Sequence, residues 1–297
     1  MNRKRRTDES VIGEALAACA ERVELARPRH WRVSIAKGAA IALDASVDAG
    51  WLLLSASGGD VPADCLAVAA LNRGLEASSR IALAADAGSL RLRAEVPLGE
   101  GMGLRDRVAE ACAGLVRASR RLAVGDRADE SAGEPPDGRA ASMAEPCREA
   151  GWSFVERRSG TLAIDLDVVD ASHQATLAPA GASGYVVAVD VVHWASPSAG
   201  CRQALGVLLL SAAEALRFVR PSAAVNGDVV AGFEVTFGAR PAVEELDEAL
   251  RALSTACRLF AREAQLLRDE GVAARFLDLR NPGRRSMEIT EEVGSWN

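Results

Sequence analysis

Apolar residues recur at every second position in two stretches of this chain that echo one another. Leu90, Leu92, Ala94 and Val96 alternate with polar neighbours after the turn Ala84-Ala85-Asp86-Ala87-Gly88. Val229, Ala231, Phe233 and Val235 do the same after Ala224-Val225-Asn226-Gly227. Period-two alternation marks a strand buried on one face, and Asn-Gly favours a tight turn, so each stretch predicts a β-hairpin. Gly88 and Gly227 stand 139 positions apart, as do Glu95 and Glu234. Behind each hairpin the apolar period becomes helical. Leu104, Val108, Cys112 and Leu115 form one stripe; Val243, Leu246, Leu250, Leu253, Cys257 and Phe260 form the other. The pattern predicts two related α+β units on one chain.

The remaining elements fall around these anchors. Residues 1–9 read as a charged, mobile lead-in, and Ser10 caps a helix carrying Val11, Leu16, Cys19 and Val23, ended by Arg27-Pro28. Trp31 to Ile35, Ala39 to Asp44 and Trp51 to Ser55 read as three short strands. A helix from Pro62 to Gly74 precedes the first hairpin. The second unit opens with a short helix near Met143 to Ala150, then strands at 152–155 and 162–168. Ala175 to Leu177 and Tyr185 to Val192 extend its first sheet region beyond that of the first unit. A leucine-rich helix from Leu205 to Leu216 leads to the second hairpin and a helix over 241–268. The expected architecture is thus α+β: two tandem α-β-β-β-α-β-β-α domains, each an antiparallel twisted sheet with packed helices. Their expected bounds are 10–123 and 143–280, joined by a Gly-, Pro- and Asp-rich linker over 124–142 and followed by a loose tail over 281–297.

Composition narrows the function. The chain has 297 residues, 49% hydrophobic and 26% charged, enough for sizeable cores. A formal net charge of −6 and 4% aromatics argue against a nucleic-acid surface. Six cysteines fall singly at 19, 65, 112, 147, 201 and 257, and read as buried helix residues of a reduced, cytoplasmic protein. Leu16-Ala17-Ala18-Cys19 looks like a lipoprotein cleavage box, yet Asp8, Glu9 and Glu14 interrupt the apolar core that a signal peptide needs. No apolar run is long enough to span a membrane.

Candidate chemistry is sparse. Gly99-Glu100-Gly101-Met102-Gly103 has the wrong register for a dinucleotide loop and follows a hairpin, so it reads as a connection. Asp165, Asp167, Asp170 and His173 read as a solvated sheet face. His30 and His193 have no recognisable nucleophile or carboxylate partner, and Ser183 reads as a turn residue. Arg3 to Arg6 read as a solubilising tail. No catalytic, cofactor or metal residue is assigned.

The element order, with Leu71-Asn72-Arg73-Gly74-Leu75 closing the middle helix and the hairpin built on Asp86-Ala87-Gly88, resembles type III secretion chaperones and YbjN-type domains. The resemblance covers roughly residues 10–122 and 143–268. It departs at Leu210-Ser211-Ala212-Ala213, which replaces the Leu-Asn-Arg step. Such domains are non-enzymatic, pair through the middle helix and adjoining sheet, and hold partner polypeptides on apolar grooves or sheet edges. The resemblance therefore implies a chaperone-like or adaptor protein whose two copies meet as an intramolecular pseudo-dimer. Leu205, Leu208, Leu209 and Leu216, with Tyr185 and Trp194, are the candidate partner contacts. The stretch between Asp167 and Val192, with Phe218, Phe233, Phe237 and Phe260, is expected to carry the specificity, residues 171–183 being a trimmable surface extension. The alternative is a small-molecule or metal-binding protein using the enlarged second sheet around Asp165, Asp167, Asp190 and His193.

Overall fold

The computed structural model describes residues 2–35, 40–75, 78–85, 88–98, 103–125, 140–157, 159–168, 171–181 and 183–280. The first half comprises α1 (Asn2–Ala17), β1 (Arg22–Arg27), β2 (His30–Ile35), β3 (Ile41–Asp48), β4 (Trp51–Asp60), α2 (Cys65–Ala70), β5 (Arg80–Leu83), β6 (Ser89–Pro97) and α3 (Leu104–Val124). The second comprises a 3₁₀ turn (Ala140–Met143), α4 (Ala144–Glu149), β7 (Phe154–Glu156), β8 (Leu162–Val168), β9 (Ala171–Ala180) and β10 (Gly184–Trp194). It continues with α5 (Ala199–Ala215), β11 (Arg220–Asn226), β12 (Asp228–Phe237), α6 (Val243–Leu266) and α7 (Glu270–Arg280). The strand orders are β1-β2-β3-β4-β6-β5 and β7-β8-β9-β10-β12-β11, six strands in each sheet. The α+β class and the internal repeat are therefore real, down to the crossing of the last two strands.

Alternation explains which face each strand buries. In β2, Trp31, Val33 and Ile35 are buried while Arg32 and Ser34 are exposed, and β6 buries Leu90, Leu92, Ala94 and Val96 in the same rhythm. These residues meet Leu16 of α1 and Val108, Cys112 and Leu115 of α3 in one core. The second sheet buries Ile164, Leu177, Val187, Val189 and Phe233 with Leu246, Leu250 and Leu253 of α6. Phe233 and Phe260 stack obliquely there, their ring centroids 6.3 Å apart.

Each half carries four strands before its middle helix; the sequence shows four such stretches in the second half but only three in the first. Residues 22–27 do not extend the first helix; α1 ends at Ala17, having begun at Asn2 within the charged lead-in. Val23 and Leu25 alternate with Arg22 and Glu24, a period that suits a strand, and Arg29 at φ 60° closes the turn that returns the chain as β2. The second sheet is consequently not enlarged. Its β9 and β10 correspond to β3 and β4, and β9 pairs with β8 on one side and β10 on the other. Residues 171–180 are thus an inner strand rather than a trimmable extension. The linker lies largely within 126–139, and the tail within 281–297, both outside the described residues.

The halves meet through their middle helices. Gly206 of α5 approaches the first turn of α2 so closely that a Cβ on it would lie 2.2 Å from Leu66 N. The Gln203 side-chain oxygen accepts from Cys65 N at 3.0 Å, satisfying an orphan donor at the start of α2 from the other half. Helix α5 also packs on β5, and α2 on β11. The inner edge of each sheet is thereby covered by the opposite half, while β1 and β7 remain as outer edges.

Candidate functional site

The seam between the halves is organised by two buried ion pairs. On β6, Leu90, Leu92, Ala94 and Val96 face the helices, so Arg91, Arg93 and Glu95 face the other side of the sheet. Glu95 is nevertheless only 3% exposed, because the end of α5 lies over it, and Arg80 on β5 is 0% exposed. Arg80 NH1 and NH2 donate to the two Glu95 oxygens, both at 2.5 Å. Its remaining donors reach Ser78 O, Ala213 O and Leu216 O. All five N–H groups of the guanidinium are thereby used, two of them on carbonyls left over where α5 stops. The Glu95 carboxylate also accepts from Arg93 NH2 and Phe218 N, both at 3.4 Å.

The second half repeats the device in the opposite direction. Arg220 on β11 donates to Glu234 Oε1 from Nε at 2.9 Å and NH2 at 2.7 Å, and from NH1 to Ser79 O of the first half at 3.2 Å. Glu234 accepts Gly74 N at 3.0 Å and Ser222 Oγ at 3.2 Å. Each Arg–Glu pair thus binds the backbone that follows the other half's middle helix, as the two sides of a twofold interface do. Such pairs cost desolvation, which full hydrogen bonding offsets. Their clearest effect is on geometry: they fix how the halves sit.

Beside this seam lies a cleft of about 150 Å³, lined by Glu95, Phe218, Val235, Phe237, Arg107 and Arg240 among others. Phe218 adopts φ 69°, unusual for a bulky residue, and its ring centroid lies 6.2 Å from that of Trp51. The cleft is smaller than the few hundred Å³ of an ordinary small-molecule site, and suits a single side chain.

The outer edge at β1 offers a different surface. Five of its six residues are exposed and Val23 is half-buried. On the face away from the helices, a shallow depression of about 290 Å³ is lined by Arg22, Glu24, Arg32, Ser34 and Asp44. On the helix face, Leu25 is 55% exposed although its cross-strand partner Trp31 is buried. The opposite outer edge, β7, is only three residues long and exposes Val155.

The residues singled out from the sequence go elsewhere. Leu205, Leu208, Leu209, Leu216, Tyr185 and Trp194 are all at most 8% exposed, so their apolar surface is spent inside the chain. Tyr185 additionally has its hydroxyl 3.2 Å from Ser142 Oγ. Asp165 accepts from Gln174 Nε2 at 3.1 Å on an exposed sheet face. Asp190 shares that face beyond β9, a separation of roughly 9–10 Å for two strand spacings, too far for one ion. Among the described residues, no three His, Cys, Asp or Glu side chains converge as a metal site. His193 is exposed, His30 is held to Pro28 O at 3.1 Å, and Ser183 Oγ donates to Gly238 O. The side chain of Asp167, all of Asp170 and residues 99–102 lie outside the described part. The pairs Arg80–Glu95 and Arg220–Glu234 escaped sequence reasoning, because both carboxylates occupy the polar register of their strands. The shared offset of Glu95 and Glu234 was the one available signal.

No helix among the described residues is long and apolar enough to cross a membrane. Comparison with protein-family models, with curated proteins and with solved structures found no match to this chain.

Proposed function

We propose that this protein is a non-enzymatic polypeptide-binding module that takes an extended segment of its partner as an added strand along β1. The observation that carries this reading is the asymmetry of the sheet edges. Edges β5 and β11 pack against helices of the opposite half, whereas β1 is a six-residue edge with an exposed outer side. An edge strand presents unpaired N–H and C=O groups, and a partner strand satisfies them without regard to sequence. Specificity then comes from alternate side chains. Those on one face lie beside Leu25 and favour apolar groups; those on the other lie beside Arg22, Glu24, Arg32 and Asp44 and favour charged ones. The preferred segment is therefore itself amphipathic with period two.

The resemblance to tandem type III secretion chaperone-like and YbjN-type domains supports the same class, and in this proposal the packed halves stand in for a homodimer. The alternative ligand-binding reading started from an enlarged second sheet, whereas each sheet has six strands. The test is affinity capture from native extract with the wild type and with Leu25→Lys, which adds an edge charge at an exposed position and leaves the core intact. A partner captured by the wild type, lost from the variant, and shielding residues 22–27 from amide exchange supports the proposal. A partner retained equally by the variant, with unchanged exchange at β1, overturns it.

A further inference from the structure

We propose that Cys19 and Cys112 form a reversible disulfide that fastens the turn between α1 and β1 to α3. The observation is a contact between two sulphurs distant in sequence: Cys19 Sγ lies 3.6 Å from Cys112 Sγ, across 93 residues. A disulfide needs about 2.05 Å, so closure takes side-chain rotation and a shift of roughly 1.5 Å, not a rearrangement of elements. Both residues stand on packed supports, Cys112 within α3 and Cys19 at the end of α1, where its sulphur also lies 3.2 Å from Leu16 O.

Access singles out the same pair. Cys19 is half-buried, whereas Cys65, Cys112, Cys147, Cys201 and Cys257 are buried. Burial pushes the Cys147 thiol up to about 11 and the Cys257 thiol up to about 12, which leaves little thiolate on either at neutral pH to start an exchange. The hydrogen bond with Cys19, and then burial, raise the Cys112 thiol, so Cys19 is the entry point; the first and largest of those causes is lost once Cys19 carries RS, which frees Cys112 to act as the resolving thiol. A low-molecular-weight disulfide RSSR is the oxidant. The Cys19 thiolate attacks one sulphur of RSSR and releases one thiol. Cys112, losing its proton, then attacks Sγ of the mixed disulfide on Cys19 and releases the second thiol. Two cysteine thiols are oxidised to one disulfide, and one RSSR is reduced to two RSH.

The consequence falls on the outer edge of the sheet. Glu21 N, two residues beyond Cys19, makes the first hydrogen bond of the β1 ladder, to Ser34 O at 3.0 Å. A bridge at Cys19 therefore pins the root of β1 against α3, whatever that edge binds.

Incubation of the folded full chain with oxidised glutathione, followed by peptide mass mapping, tests this. The expected product has lost two hydrogens, carries a Cys19–Cys112 cross-link, reverts with dithiothreitol, and exchanges amides more slowly over 18–24. In Cys112→Ser the reaction should stop at a glutathione adduct on Cys19, and in Cys19→Ser neither adduct nor bridge should form. Cys112→Ala, should the serine variant fold poorly, gives the same arrest at the adduct. A wild type that leaves glutathione on Cys19 without bridging, bridges other cysteines, or does not react overturns the proposal.

Discussion

Gly206 on α5 lies directly against the backbone of Leu66 on α2: a methyl group on Gly206 would sit 2.2 Å from the Leu66 nitrogen. Alanine in place of a mid-helix glycine ordinarily gains roughly 1 kcal/mol. Here the obstacle is backbone, which cannot rotate away, so overpacking of about 1–3 kcal/mol outweighs that gain. Gly206→Ala should lower the urea midpoint, and Gly206→Val should lower it further. A stabilised Gly206→Ala would show that α2 and α5 stand apart in solution.

The Arg80–Glu95 pair gives a second expectation. Arg80→Met strands a buried carboxylate and should cost about 3–5 kcal/mol in denaturant unfolding. Adding Glu95→Leu should recover part of that loss but not all. The carbonyls of Ala213 and Leu216 and the amide of Phe218 remain without their partners, at about 1–3 kcal/mol for each buried group. Full recovery in the double variant would mean that the guanidinium's grip on α5 contributes nothing.

Ala175 pairs with Ile164 on one side and Val189 on the other, at the middle of the second sheet. Proline there removes a ladder hydrogen bond and cannot be accommodated inside a sheet. Ala175→Pro should therefore leave the second half unfolded by circular dichroism and amide exchange. Tolerance of the substitution would return residues 171–180 to the status of a surface extension.

His173 links the same strands to pH. Partial burial lowers its pKa from the ordinary value near 6.5 by disfavouring the imidazolium. The folded chain thus binds this proton less readily than the unfolded chain. Its contribution to stability is complete above the unfolded value and is lost as pH falls through the folded one. Unfolding midpoints between about pH 8 and pH 5 should fall more steeply for the wild type than for His173→Gln. Equal slopes would place the acid sensitivity elsewhere.

The packing of the middle helices bears on stoichiometry. With the β5 and β11 edges covered from within the chain, sedimentation should report a mass near the 31.1 kDa of one chain. A stable dimer in which α2 and α5 exchange protection would instead show that the helices pair between molecules.

Periodicity alone determined much of this protein. The alternation at Leu90–Val96 and Val229–Val235 set two hairpins, the stripes through Leu115 and Leu250 set their covering helices, and the shared spacing of Gly88 with Gly227 set the repeat. Local sequence carries these because side-chain period and turn chemistry act within a few residues. It misleads at Val23, which fits an apolar stripe of either period: a helical period there absorbs β1 and makes the second sheet look the larger. Only tertiary structure decided what covers the polar register of a strand. Glu95 and Glu234 read as solvated because nothing near them in sequence buries them; the ends of α5 and α2 do, from more than a hundred residues away. The same holds for the leucines of α5, buried in a helix that packs on α2 and β5 of the opposite half as well as on α7 of its own, and for Cys19 and Cys112, whose contact no spacing encodes. Burial of a charge and meeting of two thiols are properties of distance in space: the carboxylates are covered only once the halves dock, and the thiols meet only once α1 packs on α3.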